Sequence, residues 1–311
     1  MSDPKNILIT GASRGIGQAI ARLAAQQGWS IGLNYNQSQT EAMSLAEELR
    51  QMGTKVICLQ ADVSQQSHVK RMFSEFDEAL GPMHALINNA GILRDKSFTK
   101  MEMADFDLVV KVHLLGSAYA TKAVWETMRE QNYGRILMTA SSTGLYGNFG
   151  QTNYGAAKLG LAGFTKSLYL EGAKNNIKVN SLAPLAGTRM TEDIMPEEAF
   201  KAFDPVNVVP AALFLVSEDA PTNTIIGAGG GFVHAANVTM TRGVALPAGE
   251  RTPEAVAARW AEIIDRTGET VPQSGAEQSM AAIQRQVDDT ANTYWESRVG
   301  LINPEDAYRK E

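Results

Sequence analysis

Tyr154 and Lys158 stand four residues apart in a segment that reads as helix, so their side chains share one face about 6 Å apart. Of the eight tyrosines, only Tyr154 has a lysine at that spacing. A phenol ordinarily titrates near 10, too high for a base at neutral pH. A neighbouring ammonium favours the phenolate and lowers that value. A drop of about two units corresponds to roughly 2.7 kcal/mol. Such a shift toward working pH is what general acid–base catalysis requires. A surface helix would carry the same pair as a plain amphipathic contact, so the spacing alone does not decide.

A second signal is the run Thr10-Gly11-Ala12-Ser13-Arg14-Gly15-Ile16-Gly17. It lies between an apolar strand-like run and an amphipathic helix. Glycines there let the chain turn sharply, and the helix that follows offers its positive end to an anion. Gly11, Ser13, Arg14, Gly15, Ile16 and Gly17 are therefore candidates for holding the pyrophosphate of a dinucleotide. An NAD site usually places a carboxylate about 20 residues further on, at the end of the second strand, for the ribose 2′-OH. No Asp or Glu occurs between Gln18 and Thr40. A 2′-phosphate is then not repelled, and Arg14 is placed to pair with it. The sequence favours NADP(H) and leaves NAD(H) open.

These residues need a frame that brings them together. Strand-like runs at residues 6–10, 29–35, 56–59, 85–87, 135–139 and 177–182 alternate with helical patterns. That alternation predicts an α/β fold: a doubly wound parallel sheet, Rossmann-type, with a helical C-terminal extension. Ligands of such sheets bind at the C-terminal strand ends, near the topological switch point. Residues 1–239 read as the dinucleotide-binding catalytic domain and 240–311 as the extension. Gly227 to Gly231 reads as a turn or tight strand, and 240–252 as a linker. Thr252-Pro253-Glu254 then opens a helix with Val256, Trp260, Ile263 and Ile264 as its apolar stripe, and a further helix is expected from Ala276 to about Trp295. An isolated helix of that length is marginal in water, so the stripe is expected to pack at a homo-oligomer interface or over the substrate.

Composition narrows the classes. The chain has 311 residues, 44% hydrophobic and 20% charged, with a net charge of -6, which argues against nucleic acid and against a polybasic membrane contact. The one cysteine, Cys58, sits in an apolar run and reads as a buried, inert thiol. No apolar run approaches a membrane span. The expectation is a cytoplasmic protein with no signal peptide and no C-terminal peroxisomal or retention address. His68, His84, His113 and His234 lack metal-ligand spacing, so no metal is expected.

Asp62-Val63 after the third strand and Asn88-Asn89-Ala90-Gly91 after the fourth complete an ordered set. Together with the Gly-x-x-x-Gly-x-Gly cradle and the Tyr–Lys pair, it resembles the short-chain dehydrogenase/reductase family. The resemblance implies adenine contacts at Asp62 and Val63, and cofactor-side, sheet-stabilising roles for Asn89, Ala90 and Gly91. It implies a substrate-orienting serine 13 residues before Tyr154; that spacing selects Ser141 over its rival Ser142. Ser141 would bond the substrate oxygen and Tyr154 would pass the proton. Lys158 would hold the nicotinamide ribose and tune Tyr154. His113, in Val112-His113-Leu114-Leu115-Gly116, replaces the family's relay asparagine. Pro184 and Thr188 fall on further nicotinamide contacts, although Leu185 stands where the family usually has glycine.

Residues 88–98, 113–117 and 133–158, with Ala183-Pro184 and 186–191, are similar to the (3R)-hydroxyacyl-CoA dehydrogenase part of type 2 peroxisomal multifunctional enzymes. Residues 252–265 are similar to those enzymes' extra segment. The hydratase and sterol-carrier parts are absent from this sequence, and the end of the second strand looks more like bacterial 3-oxoacyl-carrier-protein reductases. The resemblance implies hydride transfer between a 3-hydroxyacyl thioester and its 3-oxo form, on coenzyme A or an acyl carrier protein, by a homo-oligomer (dimer or tetramer). A reductase of another ketone or secondary alcohol is the alternative enzyme. A non-catalytic NADP(H)-binding sensor is the alternative of a different class.

Overall fold

The computed structural model describes residues 5–187 and 202–290, the last six by backbone alone. The chain divides between Ala236 and Asn237 into two compact units.

The first unit is built on β1 (Asn6–Ile9), β2 (Ser30–Tyr35), β3 (Val56–Gln60), β4 (Ala85–Asn88), β5 (Gly134–Thr139), β6 (Ile177–Pro184), β7 (Ile225–Gly229) and β8 (Phe232–Ala236). They form one sheet in the order β3-β2-β1-β4-β5-β6-β7-β8. All neighbours up to β7 are parallel, and β8 returns antiparallel. The doubly wound sheet expected from the alternation is present.

Central strands read as unbroken apolar runs because both faces are covered. Ile7 and Ile9 of β1 point to one side, where Ile20 and Ala24 of α1 (Gly15–Gln26), Leu45 and Leu49 of α2 (Gln39–Gln51), and Val209 and Leu213 of α8 (Val209–Phe214) enclose them. Leu8 points to the other side. There it meets a core holding Met72 and Phe76 of α3 (Gln66–Leu80), Val124 and Met128 of α5 (Gly116–Glu130), and Leu161 of α7 (Thr152–Gly172). Two further helices serve the second face: α4 (Met103–Val110), which runs through a π turn, Lys111–Leu115, into α5, and the short α6 (Ser142–Tyr146) after β5. The chain order reverses between β1 and β4, which opens the crevice that such sheets use for ligands.

Asn34, at the end of β2, locks this crevice on one side. Its buried amide donates to the carbonyls of Leu59 (3.2 Å) and Ala61 (3.1 Å), and its Oδ1 accepts the Gly11 N–H (3.1 Å). One neutral side chain thus ties together the loops after β1 and β3.

The glycine-rich stretch, read as a turn or tight strand, is the end of β7 followed by a two-glycine turn, Gly230 and Gly231 both with positive φ, and then β8, an edge strand with Phe232 and Val233 exposed. Two expectations change. Cys58 is half-buried rather than buried; it lies on β3, near the sheet edge, where cover is incomplete, and burial still pushes its thiol pKa up. In the second unit, the helix begun by Thr252 breaks at Arg259 into α9 (Pro253–Ala258) and α10 (Trp260–Ile263). The Thr252 hydroxyl does cap α9 by accepting the Ala255 N–H. The break removes the single continuous stripe, and Val256, Trp260 and Ile264 stand exposed, Trp260 at 56%. A bridge between Met240 and Thr270 and the helix α11 (Gly275–Thr290) complete the described part of this unit. The end of the second expected helix lies outside the described residues.

The Asn34 clamp has a direct consequence. Asn34→Ala leaves two buried carbonyls and one amide without their partner, at about 1–3 kcal/mol for each group that water does not reach. Urea denaturation should show a loss of roughly 2–4 kcal/mol, together with weaker dinucleotide binding because the Gly11 turn is freed.

Candidate active site

Every element end at the crevice contributes one part. After β1 the chain turns through Gly11 (φ 63) and Gly15 (φ 56), in the left-handed region that favours glycine. A Cβ on Gly11 would lie 2.9 Å from the Ala90 Cα, and one on Gly17 would lie 2.5 Å from the Gly11 carbonyl oxygen. The loops after β1 and β4 therefore touch backbone to backbone. Thr10 Oγ1 accepts the N–H groups of Asn89 (2.9 Å) and Ala90 (3.0 Å), while the Asn89 amide donates back to the carbonyls of Thr10 (2.9 Å) and Gly11 (3.2 Å). Ala12 and Ser13 are buried, Ile16 is half-buried, and Arg14 is exposed at the N-cap of α1. This cradle fits a dinucleotide pyrophosphate: small, bare of side chains where the chain turns, and opening on a helix N-terminus. Asn36 and Gln37, exposed after β2, put no carboxylate beside it. Asp62 Oδ1 accepts the Ser64 N–H (2.9 Å) and hydroxyl (2.7 Å), which fixes the turn after β3. Val63 is buried against Gly116, where a Cβ would meet it at 2.9 Å.

Ser141, Tyr154, Lys158 and His113 come together beside this cradle. Ser141 caps α6: its Oγ accepts the Thr143 N–H (3.2 Å). Gly144 has no room for a Cβ, which would sit 2.7 Å from the Leu159 N, and so α6 lies directly on α7. That contact sets Ser141 beside Tyr154, where its hydroxyl favours the phenolate. One turn along α7, the Lys158 Nζ lies 5.4 Å from the centre of the Tyr154 ring and donates to the Thr139 carbonyl at 2.5 Å. From the opposite side comes His113, edge-on to the Tyr154 ring with centres 5.1 Å apart. It sits in the π turn, where one extra residue per turn shifts the side chains that follow. Its Nε2 is 2.8 Å from the Ile92 carbonyl oxygen and 3.1 Å from the Ile92 N. Nδ1 is buried with no hydrogen-bond partner among the described residues. A Cβ on Gly91 would overlap the His113 ring at 2.3 Å, so Gly91 is glycine for His113's sake.

Burial sets the charges. His113 is 2% exposed and its pKa is pulled down to about 3, first by burial and then by the Lys158 charge. It is a neutral imidazole at neutral pH. Lys158 is 3% exposed, and burial lowers its pKa to about 7. The Tyr154 pKa is raised rather than lowered. Burial is the largest cause; the Ser141 hydrogen bond opposes it and the Asp95 charge adds to it. This corrects the expectation drawn from the Tyr–Lys spacing. The spacing places Lys158 near the phenol, but its ammonium donates to Thr139, and removal of water from the phenol raises its pKa.

Pro184 closes β6, and the Leu185 N–H after it donates to the Ala228 carbonyl (2.8 Å). Thr188 lies outside the described residues. Ser142, the rival serine, is exposed at the start of α6. Sequence reasoning missed the roles of Thr10 and Asn34. Thr10 could have been found from its place directly before Gly11, whereas nothing local marks Asn34.

The profile for short chain dehydrogenase matches residues 5–199. The mouse protein "Peroxisomal multifunctional enzyme type 2" is 37% identical over 283 residues, 88% of this chain and 38% of the mouse protein; this chain thus spans little more than a third of that relative. A short-chain type dehydrogenase/reductase of Mycobacterium tuberculosis is 38% identical over 84% of this chain and 94% of its own length. Among solved structures, the full-length peroxisomal multifunctional enzyme type 2 of Drosophila melanogaster superposes with a TM-score of 0.77 at 30% identity, over 91% of this chain and 49% of that one.

Lys158 should cost the fold stability. Its pKa is lowered from 10.5 to about 7, so between those values the unfolded chain binds more protons than the folded one. Stability therefore rises with pH across that window and is lowest below about pH 7. Lys158→Met removes the buried ammonium and forfeits one hydrogen bond. At about 1.4 kcal/mol per pKa unit, less roughly 1–2 for the bond, the variant should be about 3–4 kcal/mol more stable near pH 6. The difference should close toward pH 10. Chemical denaturation at both pH values checks it.

Proposed function

The chain belongs to the short-chain dehydrogenase family, and from that premise we propose that it interconverts a 3-oxoacyl thioester and its (3R)-hydroxy form with NADP(H). The observation that carries this reading is the convergence of Ser141, Tyr154, Lys158 and His113 beside a glycine cradle. The likeness of residues 88–98, 113–117 and 133–158 to (3R)-hydroxyacyl-CoA dehydrogenases supports the substrate, on coenzyme A or a carrier protein.

Ser141 Oγ already accepts the Thr143 N–H, which leaves its own hydrogen to hold the substrate carbonyl oxygen. Tyr154 keeps its proton because burial raises its pKa; it is the acid that protonates that oxygen as it gains charge. Lys158 would hold the nicotinamide ribose, and when bound the nicotinamide supplies the hydride. His113, neutral above about pH 4, contributes hydrogen bonding and not charge, so its relay role runs through a neutral ring. The glycines at 11, 15 and 17 and the adjoining Ser13 and Ile16 would receive the pyrophosphate. Asp62, Val63, Asn89, Ala90, Pro184 and Thr188 would complete the dinucleotide site. Exposed Leu108, Leu115, Leu159 and Leu170, on α4, the π turn and α7, support a homo-oligomer, because apolar side chains gathered on one set of helices favour association.

Wild-type protein should oxidise NADPH with acetoacetyl-CoA and give the (3R) product on chiral analysis. Tyr154→Phe should lower kcat by about 10²–10⁴-fold while NADPH affinity stays within about twofold of wild type. Unchanged turnover in that variant would remove Tyr154 from the mechanism, and a (3S) product would remove the substrate inference.

Cofactor choice has its own test. Arg14, exposed at the cradle, and the carboxylate-free end of β2 support NADP(H). Steady-state kcat/KM should be higher with NADPH than with NADH. Arg14→Ala should narrow the gap by about tenfold, the value of one charge-assisted pair. Equal use of NADH by wild type would refute the preference.

A further inference from the structure

Gln151 lies at the N-cap of α7, three residues before Tyr154, and is 8% exposed. Each end of its amide is engaged by a different element. Nε2 donates to Asp95 Oδ2 at 2.6 Å, in the loop after β4. Oε1 accepts the Thr143 hydroxyl (2.9 Å), from α6, and the Asn148 amide (3.0 Å), from the loop between α6 and α7. The orientation is forced, because a carboxylate only accepts and so the NH₂ end must face Asp95. Two backbone ties run alongside: the Lys96 N–H donates to the Gly150 carbonyl (2.9 Å), and the Asn153 amide donates to the Arg94 carbonyl (3.0 Å).

These bonds lead straight to the reacting groups. Gln151 holds the Thr143 side chain. The Thr143 N–H donates to Ser141 Oγ, and the Ser141 side chain acts on the Tyr154 phenol. On the other side, the Asn153 Oδ1 accepts the Tyr154 N–H at 2.7 Å. We propose that Gln151 is a positioning residue: its amide clamps the loop after β4, α6 and the start of α7 into one lip, and so fixes the contact between Ser141 and Tyr154. Substrate turnover enters this inference through the oxidoreductase reading above, but the clamp itself does not depend on which carbonyl compound is reduced.

The charged and titratable groups around Tyr154 are Lys158 on its own helix, His113 from the π turn and Asp95 from the loop after β4. Arg94 and Lys96, which flank Asp95, both pair with Asp105 of α4. Among the described residues no ion pair engages Asp95, whose bond to the neutral Gln151 amide therefore holds the lip.

A reciprocal exchange tests the clamp. Gln151→Glu sets a carboxylate against Asp95 and should open it; Asp95→Asn with Gln151→Glu restores it, with the donor and acceptor reversed. With acetoacetyl-CoA, Q151E and Q151M should each lose about tenfold or more in kcat, as small misplacements of reacting groups do. KM for NADPH should stay within about twofold in both. The double variant D95N/Q151E should recover to within about threefold of wild type, a coupling that a double-mutant cycle isolates. A second readout needs no substrate. The Tyr154 phenolate band, taken as the difference from the matching Tyr154→Phe protein, should appear at higher pH in Q151M, because the neighbouring Ser141 hydroxyl that favours the phenolate is displaced. Wild-type kcat in Q151M, an unmoved Tyr154 titration, or a D95N/Q151E protein as slow as Q151E would each overturn the proposal. A wild type inert toward acetoacetyl-CoA would instead sink the thioester reading, and the Tyr154 titration would still judge the clamp.

Discussion

An ammonium removed from water carries a large cost, and the site is arranged around it. Lys158 is 3% exposed, and burial draws its pKa to about 7. Its hydrogen bond in the described structure runs to the Thr139 carbonyl at the end of β5. That bond requires α7 to lie against the sheet, and Gly144 allows α6 to lie on α7 in turn. The same packing buries the His113 ring and half-buries Tyr154. Tyr154 is thereby kept protonated, and His113 is kept neutral. Low dielectric thus sets all three protonation states together, and in such surroundings each hydrogen bond to a reacting group also weighs more.

The sheet explains why these groups meet at all. Parallel strands all end on one side, so the loops after β1, β4, β5 and β6 open on a common crevice. The reversal of chain order between β1 and β4 keeps a helix from filling it. The two loops there are joined by Thr10, Asn89 and the close pass of Gly11 against Ala90. Gly91 yields its side-chain space to His113. The cofactor side and the proton-transfer side therefore share one short segment, 88–91, and a displacement of it would disturb both.

Much of this was legible in the sequence, and for identifiable reasons. Strands buried on both faces show as short apolar runs such as Ile7-Leu8-Ile9, and the helices between them carry one apolar stripe each. The cradle glycines, Ser141, Tyr154 and Lys158 stand at spacings that survive as text. Other features leave no such trace. The π turn at Lys111–Leu115 is a hydrogen-bonding pattern with no residue-type signature. Asn34 acts through partners 23 to 27 residues away, and the Gln151 clamp depends on Asp95, 56 residues away. Trp260 looked like the centre of a continuous helical face until the chain broke at Arg259. The direction of the Tyr154 shift was misjudged because spacing reports which groups are near and says nothing of how much water they lose.

Lys158 can be observed directly. Protein carrying ¹³Cε-labelled lysine, with the Lys158 resonance assigned by its loss in Lys158→Met, reports that ammonium's titration by NMR in the protein without added nucleotide. The account predicts a midpoint near 7, as burial sets it. A midpoint near the ordinary value of 10.5 would mean that the site is wet and that burial does not govern its chemistry.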